Sequence, residues 1–365
     1  MKKSFLLLAG AAAVLASCSK TETTDRPQGS AIGFAGAWIG HAVESKAQND
    51  ANITTEGIDH FFVFGGYEGF NNVFGTAEAG EQAIGTKVTK AADSWTYSPV
   101  RYWVEDKTYD FAAYSPDLTD VATVAADAAN KAISFTNFVS DKDHQHDLIY
   151  AHVSNATHEQ KVQFSFSHAL SMIRFTFKSA FGENTTLHIK DFKFYGMSLQ
   201  GNYSYRTDKM DWSSHTNSAI ESTAFTNSDL EIPGTEEKVT DDYLVIPQSV
   251  PAQTMTVSFT AEIWTNGAEA ATKSKPISVQ LQTLENGWTA GQCYNYTVTI
   301  DGENLEMKPI EFGDPTVTEW PNKPTDIPVE IPMSTGIQVY PTIRSENIVT
   351  GRAGLNRSVS PAETI

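Results

Sequence analysis

The sequence predicts an all-β protein built as two antiparallel β-sandwich domains in tandem. Three observations carry this reading. Apolar residues recur with period two and polar residues stand between them, the pattern of strands with one buried face. Turn-like stretches such as SAFGENTT and EIPGTEEK separate the alternating runs, and many short strands with turns between them describe sandwiches. The chain has 365 residues, a length that favours two domains over one.

The N-terminus is not part of either domain. MKKSFLLLAGAAAVLAS, residues 1–17, has a basic start at Lys2 and Lys3 and then an apolar run. That run is roughly a dozen residues, too short to span a bilayer as a helix. A charged start, a short apolar core and small residues at the exit describe a secretory signal. Leu15-Ala16-Ser17-Cys18 resembles the lipobox of bacterial lipoproteins, in which the peptidase cuts before the cysteine and the cysteine carries the lipids. The expected cleavage is between Ser17 and Cys18, with Cys18 lipidated. Residues 18–29 are polar and aperiodic, as expected of a tether.

Removing Lys2 and Lys3 takes the 26 basic residues to 24 against 44 acidic ones, and the net charge from −18 to −20. A chain of this sign repels nucleic acid and anionic head groups, so nucleic acid is not an expected partner. The membrane link is then the lipid alone. The chain has two cysteines. With Cys18 lipidated, Cys293 has no partner for an internal disulfide, and stability rests on burial and hydrogen bonding.

Residues 30–155 form the expected N-terminal sandwich. Its strand candidates are AIGFAGAWIG, HFFVFGGY, VRYW, YDFAAYSP and DLIYA. Asp117 to Ala132 is Ala-rich and reads as a loop with a helical turn. The break falls near residues 151–161, and residues 156–320 form the second sandwich. There Val162, Phe164, Phe166, His168 and Leu170 share one face, as do Ile173, Phe175 and Phe177. Met255, Val257, Phe259, Ala261 and Ile263 line up likewise, as do Tyr294, Tyr296, Val298 and Ile300. Residues 321–365 open with Pro321, Pro324, Pro328 and Pro332, an extended linker that resists sheet pairing. GIQVYPTI, residues 336–343, is the one strand candidate in the tail.

No catalytic constellation emerges. Asp141, Asp143, His144, His146 and Asp147 are metal-ligand types, and two-residue spacing on a strand would turn both rings one way. A polar loop before DLIYA explains them equally, and no metal or other cofactor is expected. HEQKV at His158 lacks the second histidine of a zinc protease, and no nucleophile-elbow motif is present. Cys293 reads as a half-covered structural thiol, and His168 as a core imidazole with one hydrogen-bonded nitrogen. Trp95, Tyr97, Tyr102 and Trp103 suit either sugar stacking or sandwich packing, the latter preferred. The chain is not expected to be an enzyme.

In order and spacing, several pieces together carry a resemblance: the lipobox, AIGFAGAWIG followed by SKAQND, HFFVFGGY, YDFAAYSP, DLIYA, VQFSFSHALSMIRFTF, GQCYNYTVTI and the Trp of VTEW. Over roughly residues 1–320 the chain resembles the fimbrillin-like lipoproteins of Bacteroidetes, the Mfa-like pilin relatives. The tail after the closing Trp is longer than this resemblance leads one to expect. The resemblance implies two transthyretin-like sandwich domains, export as a lipidated precursor, and protease trimming of the first strand after a basic residue in polymerising members. The opened groove is then filled by a strand from a neighbouring subunit.

Carried onto this chain, the removable strand is Ile32 to Gly40, with Ile32, Phe34 and Trp38 inward. The trimming candidates are Lys46 and Arg26. The donor candidate is the tail, through Ile337, Val339 and Ile343, with Pro341 limiting its pairing. The expected role is a fimbrial subunit serving adhesion, at the outer membrane surface and lipid-anchored as precursor, with other copies or related subunits as partners. The alternative is a non-polymerising surface lipoprotein, a fimbrial anchor or tip, or a binder of glycan or host protein.

Overall fold

The computed structural model describes residues 29–39, 57–75, 84–92, 94–127, 131–158, 160–205, 210–306 and 308–320. Ser17, Cys18, Arg26, Lys46, Ile337, Val339 and Ile343 lie outside these residues, as does the side chain of Trp38. Among the described residues the regular secondary structure is almost entirely strand. In order, the strands are β1 (Phe34–Ile39), β2 (His60–Gly66), β3 (Thr86–Ala91), β4 (Ser94–Thr96), β5 (Tyr109–Ser115), β6 (Thr123–Asp127), β7 (Ala132–Val139), β8 (Ile149–Ala156), β9 (Val162–His168), β10 (Ser171–Ser179) and β11 (Thr185–Tyr195). There follow β12 (Ser198–Tyr205), β13 (Met210–Ser218), β14 (Phe225–Thr226), β15 (Leu230–Pro233), β16 (Glu237–Val239), β17 (Tyr243–Val245), β18 (Thr256–Thr265), β19 (Lys273–Gln280), β20 (Gln292–Ile300) and β21 (Thr316–Glu319). Among the described residues one short α-helix, α1 (Gly302–Glu306), and a single 3-10 turn, Glu221–Thr223, interrupt them.

Four sheets pack as two sandwiches. A seven-stranded sheet in the order β1-β9-β8-β5-β2-β3-β4 faces a four-stranded sheet, β13-β12-β7-β6. Phe62, Phe64 and Tyr114 of the first meet Val124, Phe135, Phe138 and Tyr203 of the second in one buried cluster. The other sandwich sets β16-β10-β20-β21, with β17 also on β10, against β14-β11-β18-β19, with β15 also on β11. Its core joins Phe175, Phe177 and Tyr296 to Leu187, Ile189, Phe194 and Phe259. The all-β sandwich reading stands, and alternation accounts for it: β9 buries Val162, Phe164, Phe166 and His168 while the residues between them stay exposed.

Three features depart from the sequence reading. Residues 117–132 hold β6, paired antiparallel with β7 from Thr123↔Thr136 to Asp127↔Ala132. The alanines that suggest helix turn there are small residues accommodated in an edge strand, where pairing with β7 overrides propensity. The pairing is also not wholly antiparallel, since β1 runs parallel to β9 and β10 parallel to β20. Last, the break drawn at residues 155–156 falls within the end of β8, whose hydrogen-bonded neighbour is β9. The first sandwich takes β9, β12 and β13 from the chain beyond that break. Alternation marks a strand's buried face but not its neighbour.

The seven-stranded sheet is buried on both faces. Its second face carries Phe61, Val63, Phe111, Ala113, Phe164 and Phe166. Among the described residues it is covered not by another sheet but by its own ends curling over it. The segment after β4 reaches the residues before β1, where Ile32 N–H donates to Arg101 O at 2.9 Å and Trp103 N–H donates to Ser30 O at 3.1 Å. Ala31 and Tyr102 form the antiparallel bridge between them.

Candidate functional site

The first strand is the stave that closes this curled sheet. β1 pairs with β9 from Phe34↔Val162 to Ile39↔Phe166. An irregularity in register between Phe34 and Gly36 changes the phase of the strand. Upstream of it Ile32 and Phe34 point inward, with 1 % and 3 % exposure; downstream Ile39 does, at 3 %. Strict alternation from Ile32 and Phe34 reaches Trp38 and passes over Ile39. An extra residue in a strand is the usual cause of such a switch, and periodicity alone does not reveal it.

Phe34 sits in a box of rings. Phe61, Phe74, Tyr97 and Phe111 meet it edge-on, with centroids 5.7, 5.7, 5.6 and 6.4 Å away, and Phe164 stacks at 5.8 Å. Edge-on and offset contacts of this kind are the favourable arrangements of aromatic quadrupoles, each worth about 0.5–1.5 kcal/mol beyond area burial. The rings come from separate parts of the chain. Phe61 is on β2, Phe111 on β5 and Phe164 on β9. Phe74 arrives on a loop that bridges back to Gly65, where Phe74 N–H donates to Gly65 O at 2.8 Å. Gly65 has no room for a side chain, because a Cβ there would lie 2.3 Å from the Phe111 ring.

A strap of residues 97–104 holds the upstream half of the strand. The Tyr97 hydroxyl donates to Ile32 O at 2.6 Å and accepts from Arg101 N–H at 3.2 Å. Burial pushes the Tyr97 pKa up, so the hydroxyl stays a donor. Trp103 is buried edge-on to Tyr109 at 4.7 Å. Trp95 packs on Phe61 at 4.8 Å. Tyr102 faces outward at 54 % exposure. Of the aromatic set noted in the sequence, three members pack and one is free of the core. β9 grips the downstream half of the strand and the strap grips the upstream half.

The remaining candidates lie apart from this slot. Residues 141–148 form a turn followed by irregular chain, not a strand, so spacing does not turn the two histidines one way. His144 Nδ1 is 2.8 Å from Asp141, and His146 Nε2 is 3.0 Å from Asp120. Among the described residues no group of three or more His, Cys, Asp and Glu is placed to hold a metal ion. Cys293 is buried, not half-covered, because the core shared with Met172 and Trp320 closes over it. Burial pushes its thiol up to about 11, far from the range of a nucleophile. His168 keeps Nδ1 2.9 Å from the Asp147 carboxylate. An open groove of about 350 Å³ over β11 and β18 is lined by Lys193, Tyr195, Glu221 and Ile277. Lys193 and Glu221 pair there at 2.7 Å.

A family model described as fimbrillin-like matches residues 46–320. That span starts after the first strand and ends on Trp320. No curated protein matches the sequence. Among solved structures, a fimbrial protein from Bacteroides vulgatus superposes with a TM-score of 0.56 at 19 % identity, covering 80 % of this chain and 99 % of that one. A candidate cell adhesion protein from Bacteroides uniformis aligns over 80 % of this chain and 98 % of its own, with a TM-score of 0.44 and 19 % identity. The first of these shares the fold.

Proposed function

Since the chain belongs to the fimbrillin-like family, we propose that it is a lipid-anchored surface subunit of a fimbria whose first strand is removed so that a neighbouring subunit's strand can take its place. The observation that carries this reading is the seating of β1. It is a short strand at one end of the sheet order, it closes a core of its own, and Phe34 anchors it among five rings. An empty slot of that kind exposes an unpaired edge and a large apolar surface, and both drive strand addition. Export follows the N-terminal signal, with lipid on Cys18. Lys46, seven residues past the end of β1, is the preferred trimming site and Arg26 the second. The tail at Ile337, Val339 and Ile343 is the strand this chain donates to another subunit.

The test is the intact mass and N-terminal sequence of the surface-displayed protein. A new terminus at Ala47 in heat-sensitive oligomers supports the reading. A lipidated Cys18 with β1 retained and no oligomer ladder overturns it, and favours the non-polymerising lipoprotein: an anchor, a tip, or a binder of glycan or host protein.

A further inference from the structure

We infer that the slot under β1 selects a strand from a different protein, one with an aliphatic residue followed two positions later by an aromatic one, and rejects this chain's own tail; the inference rests on the strand-exchange reading above. The slot is a mould of β1. It takes Ile32 and Phe34 upstream of the register change, then Ala37 and Ile39 downstream. The demanding position is that of Phe34, where five rings converge on one side chain. A smaller residue there leaves a void that a packed box of rings cannot close.

The tail meets this mould badly in the two registers that offer it an anchor, one led by Ile337 and one by Tyr340. With Ile337 at the Ile32 position, Val339 falls on the Phe34 position. Thr342 and Arg344 then fall on the positions of Ala37 and Ile39. A guanidinium at a position as enclosed as Ile39 is strongly disfavoured without a partner. Tyr340 is the sole aromatic residue after Trp320. Placing it at the Phe34 position puts Gln338 where Ile32 is 1 % exposed. Exclusion by a void and a misplaced charge is specificity by mismatch, and it works against homopolymers. The chain can donate its tail forward while taking a different protein's strand behind, which suits a subunit with a fixed neighbour.

The test uses the full chain, cut once within residues 40–56 so that β1 stays bound without a covalent link. Labelled peptides then compete for the slot. They are the first-strand sequence GSAIGFAGAWI, the same peptide with Phe34→Val, the tail sequence TGIQVYPTIRS, and the tail with Val339→Phe and Arg344→Ile. The first-strand peptide is expected to exchange in, and Phe34→Val to weaken it at least tenfold, which is 1.4 kcal/mol. The native tail is expected to bind weakest, and the doubly substituted tail to recover at least tenfold over it. A native tail that binds within threefold of the first-strand peptide overturns the selectivity and leaves strand exchange standing. If the first-strand peptide itself does not exchange, the slot does not open and both readings fall.

Discussion

The imidazole of His168 lies flat on the indole of Trp320, with ring centroids 4.2 Å apart and planes 7° apart. His168 ends β9 in the curled sheet, and Trp320 follows β21 in the second sandwich. Asp147 fixes the imidazole at its edge through Nδ1, and the Trp320 backbone N–H donates to Gly291 O at 2.9 Å. The stack therefore pins the point where the tail begins to the strand that flanks β1.

Replacing Trp320 by Ala is expected to lower the stability of the whole described chain by about 3–5 kcal/mol, the usual cost of truncating a buried Trp. Trp320→Phe keeps a ring on His168 and is expected to cost less than half of that. Urea unfolding followed by fluorescence measures both. Equal stability of Trp320→Ala and the parent would show that the stack holds nothing together.

Phe34→Ala is expected to cost about 3–5 kcal/mol on the same grounds, and Phe34→Leu a smaller part of it. The loss falls on β1 first. Limited proteolysis of the Phe34→Ala chain is therefore expected to release residues up to the first strand before any other fragment. Simultaneous cleavage of both sandwiches would mean that β1 is not a separable stave.

Alkaline pH is expected to destabilise the protein. Burial raises the Cys293 thiol to about 11, and the Tyr150 and Tyr296 hydroxyls to about 12. The unfolded chain ionises these groups earlier, near pH 9–10. Their contribution is thus fully present below about pH 9 and is lost as pH rises through 11–12. Melting temperature against pH, with tyrosinate absorbance followed in parallel, checks this. A flat profile from pH 8 to 11.5 contradicts it. A Cys18→Ser chain is expected to leave Cys293 unreactive toward thiol reagents at pH 8 until it unfolds.

Lys46→Ala is expected to block trimming at the preferred position, so that the mass of the surface protein rises by the retained N-terminal segment and oligomers disappear. Arg26→Ala is expected to leave both unchanged. The reverse pattern would transfer the trimming site to the tether.

Much of the architecture is legible in the residues themselves. β9, β10, β18 and β20 announce their buried faces by alternation, and Ile32 and Phe34 can be picked out as inward without coordinates. The slot is harder to read because what makes it is non-local. Phe61, Phe74, Tyr97, Phe111 and Phe164 are spread over roughly a hundred residues, and nothing in any one segment says that they meet. Ile39 is hidden by the phase change after Phe34, and β6 by its alanines. Tyr97 reads as one aromatic among four until its hydroxyl is seen on the Ile32 carbonyl. The parallel direction of β1 is likewise a property of the sheet order, which no pattern within β1 encodes.

That parallel direction has a mechanical meaning. When β1 is drawn toward its N-terminal end and β9 toward its C-terminal end, parallel pairing loads the ladder bonds in shear, together, and does not peel them one at a time. The load then has a short route. Only Ala169 and Leu170 separate β9 from β10, the strand that pairs with β16, β17 and β20. Tension entering at the slot is delivered within two residues to a strand held by three others in the second sandwich.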